Sequence, residues 1–396
     1  MPDIARIQRE IAAAGADGWL FYDFRNRDLI AYQILGLDFG KFTTRRWFYW
    51  IPAVGEPVRI VSAVEAGKLD PLPGAKRVFR SWRELHATLK DALGGAKKVA
   101  MQYTPMGNIP YVAMVDAGTV ELLTSFGYEI VSSAGLVQTF QAVLSDEALA
   151  THVEAGEKVV RIKDEAFALV GTELRAGRTL TQYDVQRFII RRFEEEGLDC
   201  MAEYPIVGTN EHPADPHFEP TPANARPIRK GDTLLIDLWA KLARPGAIFY
   251  DITWCGFVGS NPPAKYVEIF SVVRDGRDAA LALIRERFAA GMPLYGWEVD
   301  DACRAVVEKA GYGDFFVHRT GHSIGEEVHW NGVNIDNLET KDERLLVPGV
   351  CFSIEPGIYL AGEMAVRSEI NVYITHAGSV EVAGPMQRDL ILVDVP

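Results

Sequence analysis

Cysteine is scarce in this 396-residue chain: the four present, Cys200, Cys255, Cys303 and Cys351, are widely spaced and form no CxxC pair. That spacing excludes a zinc knuckle or a disulfide framework and fits reduced core thiols. Basic residues are the minority charge, 41 Lys+Arg against 54 Asp+Glu for a net −13. A dedicated nucleic-acid binder would show a basic face instead, so none is expected as a partner. No stretch approaches the ~18 apolar residues of a membrane span. The opening MPDIARIQREIAAAGADGWLFY interleaves charges and lacks the apolar core of a secretory signal. The expectation is a soluble, cytoplasmic protein with no membrane partner. Short-period repeats and low-complexity tracts are also missing. A mean hydropathy near zero, with Leu/Val/Ile/Phe blocks throughout, excludes wholesale disorder. The length is enough for two domains with sizeable cores.

What is present divides into two styles. In the first third, DGWLFYD, RRWFYWIPA, PVRIVSAVE and KKVAMQY read as strands, while IARIQREIAAAG and SWRELHATLKDAL carry apolar residues at helical spacing. This predicts a small α/β domain. Ser145-Asp146-Glu147 then reads as an N-cap with an acidic first turn, and the domain boundary is placed there. Beyond it, helical patterns at 145–175, TQYDVQRFIIRRFEEEG and 261–290 are mixed with the strand-like runs DTLLIDLWAK, IFYDITWCGFVG, VCFSIEPGIYL and MAVRSEINVYI. This predicts an α+β domain. The Pro-rich stretch 210–232 reads as a loop.

Those four strand-like runs each carry a carboxylate among apolar residues. Period-2 alternation puts Leu234, Ile236 and Leu238 on one face and Asp237 on the other with Leu235 and Trp239. Asp251 shares a face with Phe249 and Thr253, and the Pro-Gly between the two runs favours a hairpin that sets both Asp side by side. Glu355 immediately precedes Pro-Gly. Glu369 lies with Arg367 and Asn371 opposite an apolar face. Any one of these is an ordinary exposed or ion-paired strand residue on its own. Together they imply cations, because like charges held close cannot all stay ionised uncompensated. Three histidines fall within FVHRTGHSIGEEVHW, where Gly321 and Gly325 favour a turn over a helix and Arg319 excludes the HExxH pattern. His322 is a candidate metal ligand. His318, His329 and, in the Pro-rich loop, His217 are candidates to polarise a carbonyl or hold a leaving group; His86, His152 and His376 read as structural. Four carboxylates and one imidazole suit two ions such as Mn²⁺, Co²⁺ or Zn²⁺. Two such ions would bind a bridging hydroxide, which makes the expected class metal-assisted hydrolysis.

The ordered set Asp237, Asp251, His322, Glu355 and Glu369, within the strings HRTGHSIGEEVH, SIEPGIY and VRSE, resembles the pita-bread metallopeptidases of the methionine aminopeptidase, aminopeptidase P and prolidase type. The resemblance implies an α+β fold with a C-terminal pita-bread (creatinase/aminopeptidase-like) catalytic domain over 145–396. A smaller α/β creatinase-type domain over 1–144 would precede it. It further implies that Asp237 chelates one metal, Asp251 and Glu369 bridge both, and His322 and Glu355 hold the other. Glu355 would also shuttle a proton, with His217, His318 and His329 touching the substrate near the scissile bond. Trp239, Arg319, Ser323 and Ile370 depart from the usual pattern, and the segment between the two Asp is longer than usual. No ligand position is lost.

The creatinase-type first domain implies cleavage at Xaa-Pro bonds, and the architecture implies a homodimer acting on short proline-containing peptides. A dipeptidase must also bind a free carboxylate, for which arginine is the best partner. Arg367 is the leading candidate, with Arg319 and Arg45-Arg46 behind it, although each also reads as a structural ion-pair partner. The expected activity is therefore that of a prolidase, an Xaa-Pro dipeptidase using a metal-bridging hydroxide and preferring Mn²⁺ or Co²⁺, with Zn²⁺ also compatible. Aminopeptidase P, acting on longer Xaa-Pro peptides, is the near alternative. A non-hydrolytic binding module of the same fold is the distant one, and a metal-free amidinohydrolase is disfavoured because all five ligand positions are filled.

Overall fold

The computed structural model describes residues 2–395, which divide into two compact units between Gln141 and Ala142. Among the described residues, no helix is long and apolar enough to cross a membrane.

The first unit is built on a six-stranded mixed sheet in the order Ala75–Phe79, Val58–Ser62, Trp47–Pro52, Gly18–Asp23, Lys98–Met101, Glu129–Ser132. The two central strands pair antiparallel, Gly18 to Pro52 through Asp23 to Trp47. Their near-continuous apolar sequence follows from covering on both faces. Trp19, Phe21, Trp47, Tyr49 and Ile51 enter one core under the helices Ile4–Ala13 and Leu29–Leu35. Leu20, Tyr22, Phe48 and Trp50 enter another, packed by Trp82–Leu93 and Ala117–Ser125. The helices at Leu29–Leu35 and Ala117–Ser125 and the outer strands Ala75–Phe79 and Glu129–Ser132 were not evident in the sequence pattern.

The second unit centres on the antiparallel pair Thr233–Leu242 and Tyr250–Val258, extended by Ile391–Val393 on one side and by Leu198–Asp199 and Ile206–Thr209 on the other. A three-stranded sheet (Cys351–Ile354, Ile370–Ile374, Val380–Ala383) and a two-stranded one (Gly357–Leu360, Met364–Arg367) complete it. Side chains alternate along the central strand. Leu234, Ile236, Leu238 and Ala240 enter a core packed by the helices Asp146–Arg175 and Gln182–Glu195. Leu235 enters the other core, packed by Ala264–Ala289 and Gly296–Lys309. The first of these helices starts where the sequence places it, with Ser145 accepting the Ala148 N–H and Asp146 and Glu147 in the first turn.

Two of the strand-like runs are broken in the structure. VCFSIEPGIYL divides at Glu355-Pro356 and MAVRSEINVYI at Ser368-Glu369. Pro356 has no N–H to offer a ladder and pushes Glu355 away from regular pairing. Each break is where the chain leaves one sheet for the other. The two glutamates therefore stand at strand junctions, where their side chains are not confined to the pleat.

Candidate metal centre

The hairpin register sets the first pair of carboxylates. Asp237 lies opposite Thr253 and Asp251 opposite Trp239, so all four share one face. The second pair arrives through the loop 320–323, which runs beside Phe352–Glu355. Ser353 N–H donates to His322 O (2.8 Å) and Glu355 N–H to Thr320 O (2.7 Å). Gly321 permits this approach, since a Cβ there would lie 2.0 Å from the Ser353 carbonyl oxygen. Glu369 is brought in by its own N–H, which donates to Thr253 O at 3.2 Å. Asn371 fixes Asp251 from behind, its amide accepting from Asp251 N–H (2.8 Å) and donating to Asp251 O.

These elements line an open-mouthed cavity whose walls include Asp237, Asp251, His322, Glu355 and Glu369. Ligand atoms of Asp251, His322 and Glu369 lie within 4.8 Å of one another, and all three residues are buried. His322 Nε2 is 3.3 Å from Glu355 Oε1 and 3.6 Å from Asp251 Oδ2. The ring's other nitrogen, Nδ1, faces Ser323 O at 3.2 Å. Donation there leaves Nε2 as a lone pair aimed at two carboxylates. Thr253 Oγ1 lies 2.9 Å from both Asp237 and Glu369, offering one proton between two acceptors. Asp251 Oδ1 and Glu369 Oε1 are buried and have no hydrogen-bond partner among the described residues.

The electrostatics follow from this crowding. Burial first, then the charges of Asp237 and Glu355, holds Asp251 well above the carboxylate range. Burial, followed by Asp251, Glu355 and Asp237, does the same to Glu369. Glu355 is pushed up to about 7, chiefly by burial. His322 is driven well below its ordinary value by burial and by His329 and Arg319, which favours the neutral, metal-binding imidazole. Orphaned oxygens, a free imidazole lone pair and mutual repulsion are all relieved by divalent cations, so the residues present fit a metal site.

The outer candidates separate. His329 lines the cavity with its ring centroid 4.2 Å from that of His322. Burial and then Arg319 push it down to about 4. His217 is exposed and contributes to the same wall. His318 departs from expectation, because it is not among the cavity-lining residues. Its Nδ1 faces Arg319 O at 2.7 Å and its Nε2 faces Tyr359 Oη at 2.7 Å. Both nitrogens are thus occupied away from the cavity.

Arg367 lines the cavity but is committed within the protein. Its guanidinium pairs with Asp237, donates to Thr253 Oγ1 (3.0 Å) and Tyr359 Oη (3.0 Å), and reaches Pro216 O at 3.4 Å. Only one of its five N–H groups remains for a substrate carboxylate, so its main role here is to neutralise and orient Asp237. Arg319 acts through its charge on His318, His322, His329 and Glu355. Arg45 and Arg46 belong to the first unit, where Arg45 N–H donates to Glu65 (3.1 Å). Sequence reasoning missed the supporting roles of Thr253, Asn371 and Tyr359. For the first two, the signal was present in the strand faces they share with Asp251 and Glu369.

Comparison with known proteins agrees with this geometry. Residues 154–376 match the profile of metallopeptidase family M24. The probable dipeptidase PepE of Mycobacterium tuberculosis is 29% identical over 350 residues, covering 87% of this chain and 85% of that one. The Xaa-Pro dipeptidase of Pyrococcus furiosus is 30% identical over 240 residues, 60% of this chain and 63% of that one. The crystal structure of dipeptidase PepE from Mycobacterium ulcerans shares the fold, with a TM-score of 0.69 at 24% identity over 99% of this chain and 97% of that one. The chain therefore has the pita-bread fold and belongs to metallopeptidase family M24.

Proposed function

We propose that this chain is an Xaa-Pro dipeptidase that holds two divalent cations, Mn²⁺ or Co²⁺, among Asp237, Asp251, His322, Glu355 and Glu369. The observation that carries the reading is the convergence of donor-less buried oxygens of Asp251 and Glu369 beside the Nε2 lone pair of His322. When bound, the cations supply a hydroxide nucleophile at neutral pH and polarise the scissile carbonyl. The protein's residues do the rest. Glu355, a carboxylate in the cavity wall, takes a proton from the attacking water and returns it to the leaving proline nitrogen. His329, kept neutral, and His217 line the space around the scissile bond, where each can donate to a carbonyl or leaving group. His318 contributes through Tyr359 and Arg367, whose contact with Asp237 orients that ligand. Arg367, with one N–H left in the cavity wall, is the cation for the substrate carboxylate, and Arg319 adds positive charge from outside that wall.

The relatives named as dipeptidases support this substrate length. The first unit serves in this reading as the creatinase-type domain (1–144) preceding the catalytic domain (145–396). A cytoplasmic homodimer, as the family resemblance implies, completes the proposal. Elemental analysis should find bound divalent metal, and Ala-Pro should be hydrolysed faster than Ala-Pro-Ala. Faster tripeptide cleavage would make the protein an aminopeptidase P. Absence of stoichiometric metal, with no hydrolysis restored by Mn²⁺ or Co²⁺, would leave a binding module.

A further inference from the structure

Of the four positions that depart from the family pattern, Trp239, Arg319, Ser323 and Ile370, the cavity wall includes Trp239 and not the other three. The hairpin register places it there. Trp239 lies directly across from Asp251 and two positions along the same face from Asp237. An indole thus stands beside two of the proposed metal ligands, where it contributes a large apolar surface.

The ring is fixed by its surroundings. It packs against the apolar cluster of Phe249, Ile324 and Val328 and also against the core that contains Ile206 and Leu235. Val328 and Ile206 line the cavity too, so the wall has an apolar portion of Ile206, Trp239 and Val328 among acids, histidines and Arg367. Trp239 Nε1 is buried and has no hydrogen-bond partner among the described residues. What the indole brings to the cavity is therefore bulk held by close packing, not a polar anchor.

The ladder shows which part of a substrate meets that bulk. Arg367, the cation assigned to the substrate carboxylate, contacts Asp237 and Thr253, which face each other as one rung. Trp239 and Asp251 form the next rung on that face, about 7 Å further along the strands at ~3.4 Å per residue. A dipeptide spans about the same length, two residues at ~3.5 Å each. With its carboxylate at Arg367, its first residue reaches the Trp239 rung, while the proline ring stays at the Arg367 end.

We propose that Trp239 sets the specificity of this site by filling the space beside the substrate's first residue, so that Gly-Pro and Ala-Pro are accepted and peptides with a bulky first residue are excluded; the assignment rests on the dipeptidase reading above. A packed ring cannot swing aside as a flexible chain would, and extra methylenes forced against such a wall are unfavourable. Discrimination then comes from a clash with the wrong peptide.

The test compares Ala-Pro with Leu-Pro and Phe-Pro on the metal-loaded full-length protein. Wild type should favour Ala-Pro by about 10–100-fold in kcat/KM. Trp239→Ala should shrink that ratio at least about tenfold through a gain for the bulky peptides, with bound metal unchanged by elemental analysis. Trp239→Leu should give an intermediate ratio, and it decides the matter if the alanine variant folds poorly or loses metal. Equal cleavage of the three peptides by wild type, or an unchanged ratio in a metal-replete variant, would overturn the proposal and leave the dipeptidase reading intact. If no Xaa-Pro dipeptide is cleaved, that reading fails, and calorimetry with uncleavable ketomethylene analogues of Ala-Pro and Leu-Pro still tests the wall. Wild type should then bind the alanine analogue more tightly and Trp239→Ala should level the two; equal binding by wild type would overturn the assignment.

Discussion

Buried carboxylates occur in two places in the second unit, and they differ in how they are satisfied. Asp300, on the helix Gly296–Lys309, and Asp336 and Asp342, in the loop beyond it, are each 1% exposed or less. Every oxygen of these three accepts two donors. Asp300 takes Thr320 N–H and O–H on one oxygen and Arg304 and Asn337 N–H on the other. Asp336 takes three backbone N–H groups and the Thr340 hydroxyl. Asp342 is held by the Arg344 fork and by backbone N–H of Asn334 and Arg344. Asp251 and Glu369 are nearly as buried, at 5% and 2%, yet each keeps an oxygen with no partner among the described residues. Burial is the same and supply is different. The loop acids draw their donors largely from residues a few positions ahead, so the chain satisfies them as it turns. The cavity acids come from separate strands and meet mainly each other, so their compensation has to come from outside the chain.

The largest effect that tests this contrast is on turnover. Asp251→Ala or Glu369→Ala should lower kcat for Ala-Pro by at least about 10³-fold, with bound metal falling by elemental analysis. In urea unfolding of the chelated protein, Asp251→Asn should be neutral or stabilising, because it removes a buried repulsive charge. Asp342→Asn should do the reverse: it strands the Arg344 guanidinium and costs about 3–5 kcal/mol. Destabilisation of the same size in both would erase the distinction between the two groups of acids. Near-normal kcat in either alanine variant would remove the metal assignment. His329→Ala should come next, with kcat down about 10²-fold and metal retained. Loss of metal would instead make His329 a ligand.

Chelation tests the same contrast through pH. Without cations, the folded protein holds Glu355 at about 7, against an ordinary value of 4.5, with Asp251 and Glu369 raised as well. A raised folded pKa gives stability that is complete below about 4.5 and is lost as pH rises through about 7. The urea midpoint of the chelated protein should therefore fall between pH 5 and pH 8. The metal-loaded protein should lack this component, because cations replace the protons. A chelated midpoint that stays flat or rises over that interval would mean the cavity carboxylates are compensated within the chain.

The hairpin carrying Asp237 and Asp251 was legible in sequence because a period of two fixes which residues share a face, and the apolar face was unambiguous. Ser145 was legible because capping is local chemistry. Ala75–Phe79 was not, since an edge strand in which Lys76, Arg77 and Val78 are all exposed lacks the apolar alternation that marks a strand. Gly296–Lys309 opens on glycine behind Tyr295 rather than behind one of the usual small polar N-caps. In the site, residue types and order were readable while orientation was not. Arg367 and His318 both fell in suggestive strings, but what each faces depends on how Gly357–Leu360 folds back on Met364–Arg367. Tyr359 lies opposite Ala365 in that pair, one step diagonal from Arg367 on the same face. Nothing local to Tyr359 announces it.

The smallest predicted effect concerns that relay. Tyr359 Oη donates to His318 Nε2 and accepts from Arg367, which pairs with Asp237. Tyr359→Phe removes both bonds and leaves the ring in place. It should lower kcat about 3–10-fold and cost about 1 kcal/mol of stability, the net worth of a buried hydrogen bond. His318→Gln should have a similar effect on kcat if the histidine acts only by fixing the tyrosine. The double variant then decides between two roles for His318. A histidine acting through Tyr359 gives a double variant no worse than the single ones, whereas a histidine touching substrate directly gives losses that multiply. The geometry supports the first, because both ring nitrogens are already engaged. Multiplying losses would return His318 to the cavity and mean that the loop carrying it moves when a peptide binds.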